Sequence, residues 1–423
     1  MTNKSRRTFL KTALAASAAV GTLQSPFVHA RQTLKIGYVS PRTGPLAAFS
    51  EPDEFTLQQV RKVLAKGLTA TNGEQFDIEI IYKDTQSNPN RAAEVTAELI
   101  LKDGVDLVVA CSTPTTTNPV ADQCELNGVP CVTNDAPWQP YFFGRGGDPK
   151  TGFEWTYHFF WGLEDIIGSY ASLWEKIETN KSVGALWPND EDGLAWGDEN
   201  RGFPPVLAKK GFQIIDRGRF QVPVNDFSTF ISAFREKEVE IITGVITPPD
   251  FANFWNQSGQ MGFQPKIVTV AKATEFPAAI KAIGDRAEGL TVELMWSPAN
   301  PFNSSLTGQT ARELADEYKA TTGIAWTQTL GMKHSLFEVA IDVLKRAGSK
   351  EPEVIRDAIA STNLNTVAGS VNFQHGPVPN VAKTPLVTGQ WQKRGKELEL
   401  IIVENSQAPM IPVESELMPM KYS

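Results

Sequence analysis

The chain is predicted to be an α/β protein built from two doubly wound parallel-sheet lobes. Three observations carry that prediction. Short β-branched runs alternate with helical segments over most of the sequence. The alternation breaks at an aromatic, glycine-rich stretch (residues 138–161) and then restarts, giving two halves of similar size. At 423 residues, the chain also exceeds what one compact core usually holds.

In the first half, strands are expected over 34–39, 78–82, 105–110 and 129–133, with helices over 55–70, 90–102 and 120–126 between them. The stretch 104–138 is the most informative. Its first apolar run ends in Ser112-Thr113-Pro114-Thr115-Thr116-Thr117-Asn118, and its second leads into Asn134-Asp135-Ala136-Pro137-Trp138. A strand–loop–helix–strand unit closes by a right-handed crossover, so both loops emerge at the same carboxyl edge, where open α/β sheets bind ligands. Hydroxyls beside free N–H groups at a helix start suit a small anion; the same residues also serve as helix caps.

Residues 138–161 read as loop and crossover. In the second half, helices are expected over 163–177, 198–210, 227–235, 251–261 and 277–283, with strands over 182–187, 212–215, 240–245, 267–270 and 290–295. Pro188-Asn189-Asp190-Glu191-Asp192-Gly193 reads as a turn that faces a ligand. Three further helices (309–321, 330–347, 352–360) and a tail with short strand-like runs (390–391, 398–403) complete the chain.

Residues 1–30 form a targeting segment. Ser5-Arg6-Arg7-Thr8-Phe9-Leu10-Lys11 precedes a mild apolar stretch, and Val28-His29-Ala30 resembles a cleavage site, the pattern of a twin-arginine export signal. That segment holds Lys4, Arg6, Arg7 and Lys11 and no acidic residue, so its removal moves the formal charge from −8 to −12. So acidic a chain, without a basic run, is a poor partner for nucleic acid. No apolar stretch reaches the ~18–20 residues of a membrane span, so the protein is not expected to be membrane-spanning itself. In an exported protein a Cys124–Cys131 disulfide is within reach across a Gly-Pro turn, and Cys111 is expected to be a packed thiol.

Catalytic patterns are missing from the sequence. His158, His334 and His375 lack metal-ligand spacing; there is no His-Glu-x-x-His, no Gly-x-Ser-x-Gly elbow and no phosphate-binding loop. Gly144-Arg145-Gly146-Gly147 is not a dinucleotide fingerprint, and the acidic 190–192 turn lacks a calcium loop's alternation. No enzyme, metal or cofactor is therefore expected.

The residues do resemble a family. Lys35-Ile36-Gly37-Tyr38-Val39-Ser40-Pro41-x-Thr43-Gly44-Pro45-Leu46, Asp84-x-x-x-Asn88-Pro89-x-Arg91-Ala92-Ala93 and Asp226-Phe227-Ser228 are similar to the branched-chain amino-acid (Leu/Ile/Val) binding proteins of bacterial ABC importers. So are Cys124-Glu125-x-Asn127-Gly128-Val129-Pro130-Cys131, Ala287-Glu288-Gly289 and Ala340-x-x-x-Leu344-Lys345-Arg346-Ala347-Gly348, with the likeness running over 33–405. The resemblance implies a type I periplasmic binding protein: lobe 1 over 31–157 plus 299–369 and lobe 2 over 158–298 plus 370–423, joined by three crossovers and closing on a ligand.

Carried over by position, Ser112, Thr113, Asn134 and Asp135 would hold a ligand carboxylate, and Phe49 would cover it. Asp192 falls where the family often has an aromatic, Thr247 lies on a strand-end loop, and Lys272 falls near the family's acidic ammonium acceptor. A lysine there prefers an anion. Trp138, Trp187 and Trp196 would supply flat apolar walls. Together these point to a small aromatic or aliphatic carboxylate delivered to an inner-membrane permease by a periplasmic monomer. An amino acid also fits, since Asp135, Asp192 or Asp250 can accept an ammonium. A ligand-sensing module for a receptor, or an exported α/β hydrolase, is the alternative.

Overall fold

The computed structural model describes residues 31–422; the twin-arginine segment lies outside them. In chain order the strands are β1 (Gln32–Ser40), β2 (Leu68–Thr69), β3 (Gln75–Asp84), β4 (Leu107–Cys111), β5 (Cys131–Asn134) and β6 (Thr156–Phe159). β7 (Ser182–Leu186), β8 (Gln213–Asp216), β9 (Ile241–Ile246), β10 (Ile267–Lys272) and β11 (Thr291–Leu294) follow. The C-terminal part supplies β12 (Asn363–Thr366), β13 (Gly369–Asn372), β14 (Val381–Ala382), β15 (Val387–Arg394) and β16 (Glu397–Glu404).

These strands build two seven-stranded sheets, ordered β14-β6-β5-β4-β1-β3-β2 and β16-β15-β11-β10-β9-β7-β8, with β12 and β13 as a separate hairpin. The central pairs are parallel: β1 with β4, β4 with β5, β7 with β9, and β9 with β10. Parallel strands are buried on both faces, which explains their continuous apolar runs. Each sheet reverses its order beside its first strand, β1 against β4 and β7 against β9, and the loops at those reversals face each other across the cleft.

The two halves are therefore the expected ones, with shifted seams. His158 and Phe159 pair with β5 and β14 in the first sheet, so the first crossover falls after Phe159, not at 157. Val381–Ala382 also returns to the first sheet, so residues 370–382 do not belong to lobe 2. The stretch expected to be loop holds β6 and a short helix, Trp138–Phe142. Its aromatics obscured the strand because they pack against each other: the Tyr141 ring stacks on His158 at 4.1 Å.

Two local expectations change as well. The helix after β4 starts at Pro114, six residues early, because proline is tolerated at the first helical position and Thr113 is already extended. The helix expected over 198–210 starts only at Phe203 and runs to Lys209, and the stretch expected as a turn over 188–193 opens a separate short helix, Glu191–Trp196. Asp190 caps this short helix, its carboxylate accepting from Gly193 N.

The expected Cys124–Cys131 bridge is not formed; Cys111, Cys124 and Cys131 are free, buried thiols. Cys124 and Cys131 neighbour each other in an apolar cluster with Ala92, Val95 and Val120. Burial pushes the Cys124 thiol well above its ordinary pKa, and the protonated form does not attack a disulfide.

The long helix Thr329–Ala347 is buried along most of its length and braces the first sheet. Its Lys333 ammonium lies 2.9 Å from Asp53 Oδ1 and donates to Tyr38 OH, Ser40 Oγ and the Cys111 carbonyl. A buried charge pair is tolerable only with such additional hydrogen bonds.

Candidate functional site

The carboxyl ends of β4 and β5 meet those of β9, β10 and β11 around a narrow cavity of about 20 Å³. That is room for about one water, well below the about 300–1,000 Å³ typical of small-molecule sites. Phe49, Thr113, Pro114, Asp135 and Pro137 line it from the first lobe, with Phe160 and Trp161 from the first crossover. The second lobe contributes Asp192, Trp196, Val245, Ala271, Lys272, Glu275 and Glu293, and Met295 follows β11.

The lobes are in contact over this cavity. Phe49 meets Phe276 edge to face at 4.9 Å between ring centroids, and Thr115 Oγ1 donates to Glu191 Oε2 at 2.8 Å. Both pairs join residues from opposite sheets.

Asp135 and Lys272 end equivalent strands in the two lobes, and both have left-handed backbone, with φ of 68° and 62°. Strain of this kind persists where surrounding structure enforces it, often at ligand sites. His158 contributes here: its Nε2–H donates to the Ala136 carbonyl at 2.7 Å and pins the Asp135 loop. Burial lowers the His158 pKa to about 3, so the ring stays neutral.

The electrostatics differ from the expectation. Lys272 is not free to receive an anion, because it is ion-paired with Asp192 and lies 3.9 Å from Asp190. Burial works against its charge, but those carboxylates more than offset it and hold it cationic. Burial pushes Asp135 up to about 6, only partly countered by Lys333. Glu275 rises well above the usual carboxylate range, first by burial and then by repulsion from Glu293 and Asp135. Glu293 is also raised by burial, while its Oε2 accepts from Tyr170 OH at 2.5 Å. Glu275 Oε1 accepts from the Lys272 backbone N–H at 2.8 Å, and its Oε2 has no partner among the described residues.

Several polar atoms on the walls have no partner among the described residues: Thr113 Oγ1, Asp135 Oδ1, Trp161 Nε1 and Trp196 Nε1. Buried polar groups left unpaired cost about 1–3 kcal/mol each, so these atoms gain from any hydrogen-bonding partner that reaches them.

Of the residues singled out from sequence, Phe49, Thr113, Asp135, Asp192, Trp196 and Lys272 line the cavity. Five do not. Ser112 is buried one residue behind Thr113, its carbonyl accepting from Thr117 Oγ1. Asn134 turns away to donate to the Met332 carbonyl at 2.8 Å. Trp138 packs on Phe142 and Phe143 and donates to Glu164. Trp187 is buried against Trp196 and Phe203. Thr247 caps the next helix and bonds Asp250. Trp161, Glu275 and Glu293 were missed. The first lay in a stretch read as loop, and Glu293 sits inside an apolar strand pattern that conceals which face it takes.

Among the described residues there is no cluster of three or more metal-ligating side chains, and no helix is long and apolar enough to cross a membrane.

The sequence profile of the periplasmic binding proteins matches residues 33–396. A curated relative from Pseudomonas aeruginosa, a leucine-, isoleucine-, valine-, threonine- and alanine-binding protein, is 24% identical over 380 residues, 88% of this chain and 93% of that protein. The leucine-binding protein LivK of Thermotoga maritima superposes with a TM-score of 0.69 at 21% identity, covering 88% of this chain and 99% of that one. A solute-binding protein of an ABC transporter from Rhodopseudomonas palustris, in complex with 3,4-dihydroxybenzoic acid, superposes at 0.68 with 19% identity, covering 89% and 98%.

Proposed function

This chain belongs to the periplasmic binding protein family, and we propose that it captures a small carboxylate-bearing solute between its lobes and delivers it to an ABC permease in the inner membrane. The family carries periplasmic residence with it; export by the twin-arginine signal of residues 1–30 is part of the proposal. The observation that carries the reading is the set of unpartnered buried atoms, Thr113 Oγ1 and Asp135 Oδ1 from one lobe and Trp196 Nε1 from the other, on one inter-lobe cavity.

The ligand's carboxylate is assigned to the first lobe, at Thr113 and the start of the Pro114–Asn127 helix, where the helix dipole favours negative charge. Contacts from the second lobe then favour the closed form, so ligand binding and closure are one equilibrium. Micromolar binding corresponds to about −8 kcal/mol, within reach of a few charge-assisted hydrogen bonds and apolar burial. No bond is made or broken in this reading, and no enzymatic role is assigned.

The test is a thermal-shift screen of residues 31–423 against amino acids, aliphatic acids and aromatic acids, followed by calorimetry. A ligand that binds only the folded state raises Tm. A hit whose affinity is unchanged by Thr113→Ala together with Trp196→Phe would place the solute elsewhere and overturn the site.

A further inference from the structure

The cavity holds more negative charge than one amino-acid ammonium requires. Asp135, Asp192, Glu275 and Glu293 all line it, and Lys272 is the one cationic side chain among the lining residues. Lys272 is already matched to Asp192. Three carboxyls are left, and they divide between the lobes: Asp135 at the end of β5, with Glu275 and Glu293 opposite. Asp135 is 4% exposed and its Oδ1, facing the cavity, has no partner. Trp161 and Phe160 flank the same space with π faces, which attract cations in a dry setting. A plain carboxylic acid placed there would bring no cation to these carboxyls.

We propose that the solute is a cationic amino acid, with one carboxylate and two cationic nitrogen groups, one held by Asp135 and the other by the Glu275–Glu293 pair. This rests on the capture reading above and narrows its ligand class. It assigns the positive charge to carboxylates other than the position where Lys272 stands, and it excludes hydroxylated benzoates although a structural neighbour holds one. Burial and the neighbouring Glu293 favour the protonated form of Glu275 when the site is unliganded; a ligand cation favours its ionisation.

The experiment titrates residues 31–423 by calorimetry with L-lysine, L-arginine, L-norleucine, cadaverine and 4-hydroxybenzoate. L-lysine or L-arginine is expected to bind at least about tenfold more tightly than norleucine, which lacks the second cation, and than cadaverine, which lacks the carboxylate. Asp135→Asn is expected to weaken that binding at least about tenfold with no loss of ligand-free Tm. Norleucine or 4-hydroxybenzoate binding as tightly as lysine would overturn the inference and leave capture standing. If none of the five binds, the inference falls, while the broader screen decides the capture reading separately.

Discussion

Lys272 and Asp192 form an ion pair inside the inter-lobe cavity, the lysine 7% and the aspartate 1% exposed. The partners come from one lobe, so the pair persists whether the lobes are open or closed. The pair takes up the lysine charge that the sequence reading assigned to an anion.

Removing one partner leaves the other as an uncompensated buried charge. Lys272→Met is expected to destabilise the protein by about 3–5 kcal/mol in urea denaturation, as for other broken buried pairs. Adding Asp192→Asn to that variant should recover most of the loss. A single variant with an unchanged midpoint would mean the pair contributes nothing.

Asp135 sets a pH dependence. In the folded protein burial raises its pKa to about 6, against an ordinary value near 3.8. The folded state therefore binds more protons than the unfolded state between those values. Stability from this group is greatest below the lower value and is lost as pH rises through about 6. Lys333, Asp53, Cys111 and Glu293 face it and stay in place in the test variant. Asp135→Asn removes the titration, and asparagine accepts left-handed backbone readily. The variant without ligand is expected to gain about 1–3 kcal/mol at pH 7.5 and nothing near pH 4. Equal effects at both pH values would contradict this.

Phe49 and Phe276 make a ring contact between the lobes, and closure is expected to depend on it. Phe276→Ala removes apolar burial worth about 1.5–3 kcal/mol, much of it realised only when the lobes meet. Ligand affinity should fall roughly 10- to 150-fold, mainly through faster release, and small-angle scattering should show a more open ligand-free molecule. Slower association with unchanged release would argue against a closing role.

Gly331 lies on the buried helix Thr329–Ala347, where an added Cβ would sit 2.1 Å from Trp296 Cγ. That indole follows β11 and donates to the Val367 carbonyl at 3.1 Å, tying the second crossover to the first lobe. Gly331→Ala is expected to cost about 1–3 kcal/mol by overpacking. A Gly331→Ala protein with native stability would show that the indole has room to move.

Much of the architecture is written into local pattern. Apolar runs such as 105–110 and 240–245 are short, β-branched and bounded by turn residues, so strand and helix alternation can be read without coordinates. The placement of β6 cannot be: Thr156–Phe159 sits among aromatics whose mutual packing hides the period. Thr113 and Asp135 were legible as site residues because a crossover fixes which loops share an edge. Asn134 and Trp138, in the same loop, were not separable from Asp135, since neighbouring residues point to different sides and only packing decides which.

The sequence by itself determined two parallel-sheet lobes, which strand-end loops share an edge, and the family to which the chain belongs. Tertiary structure alone decided the charge of the site. Asp192, the Lys272–Glu275 turn and Glu293 come from three separate stretches, and whether a lysine attracts an anion or satisfies a carboxylate such as Asp192 depends on distances of a few ångströms that no spacing along the chain encodes.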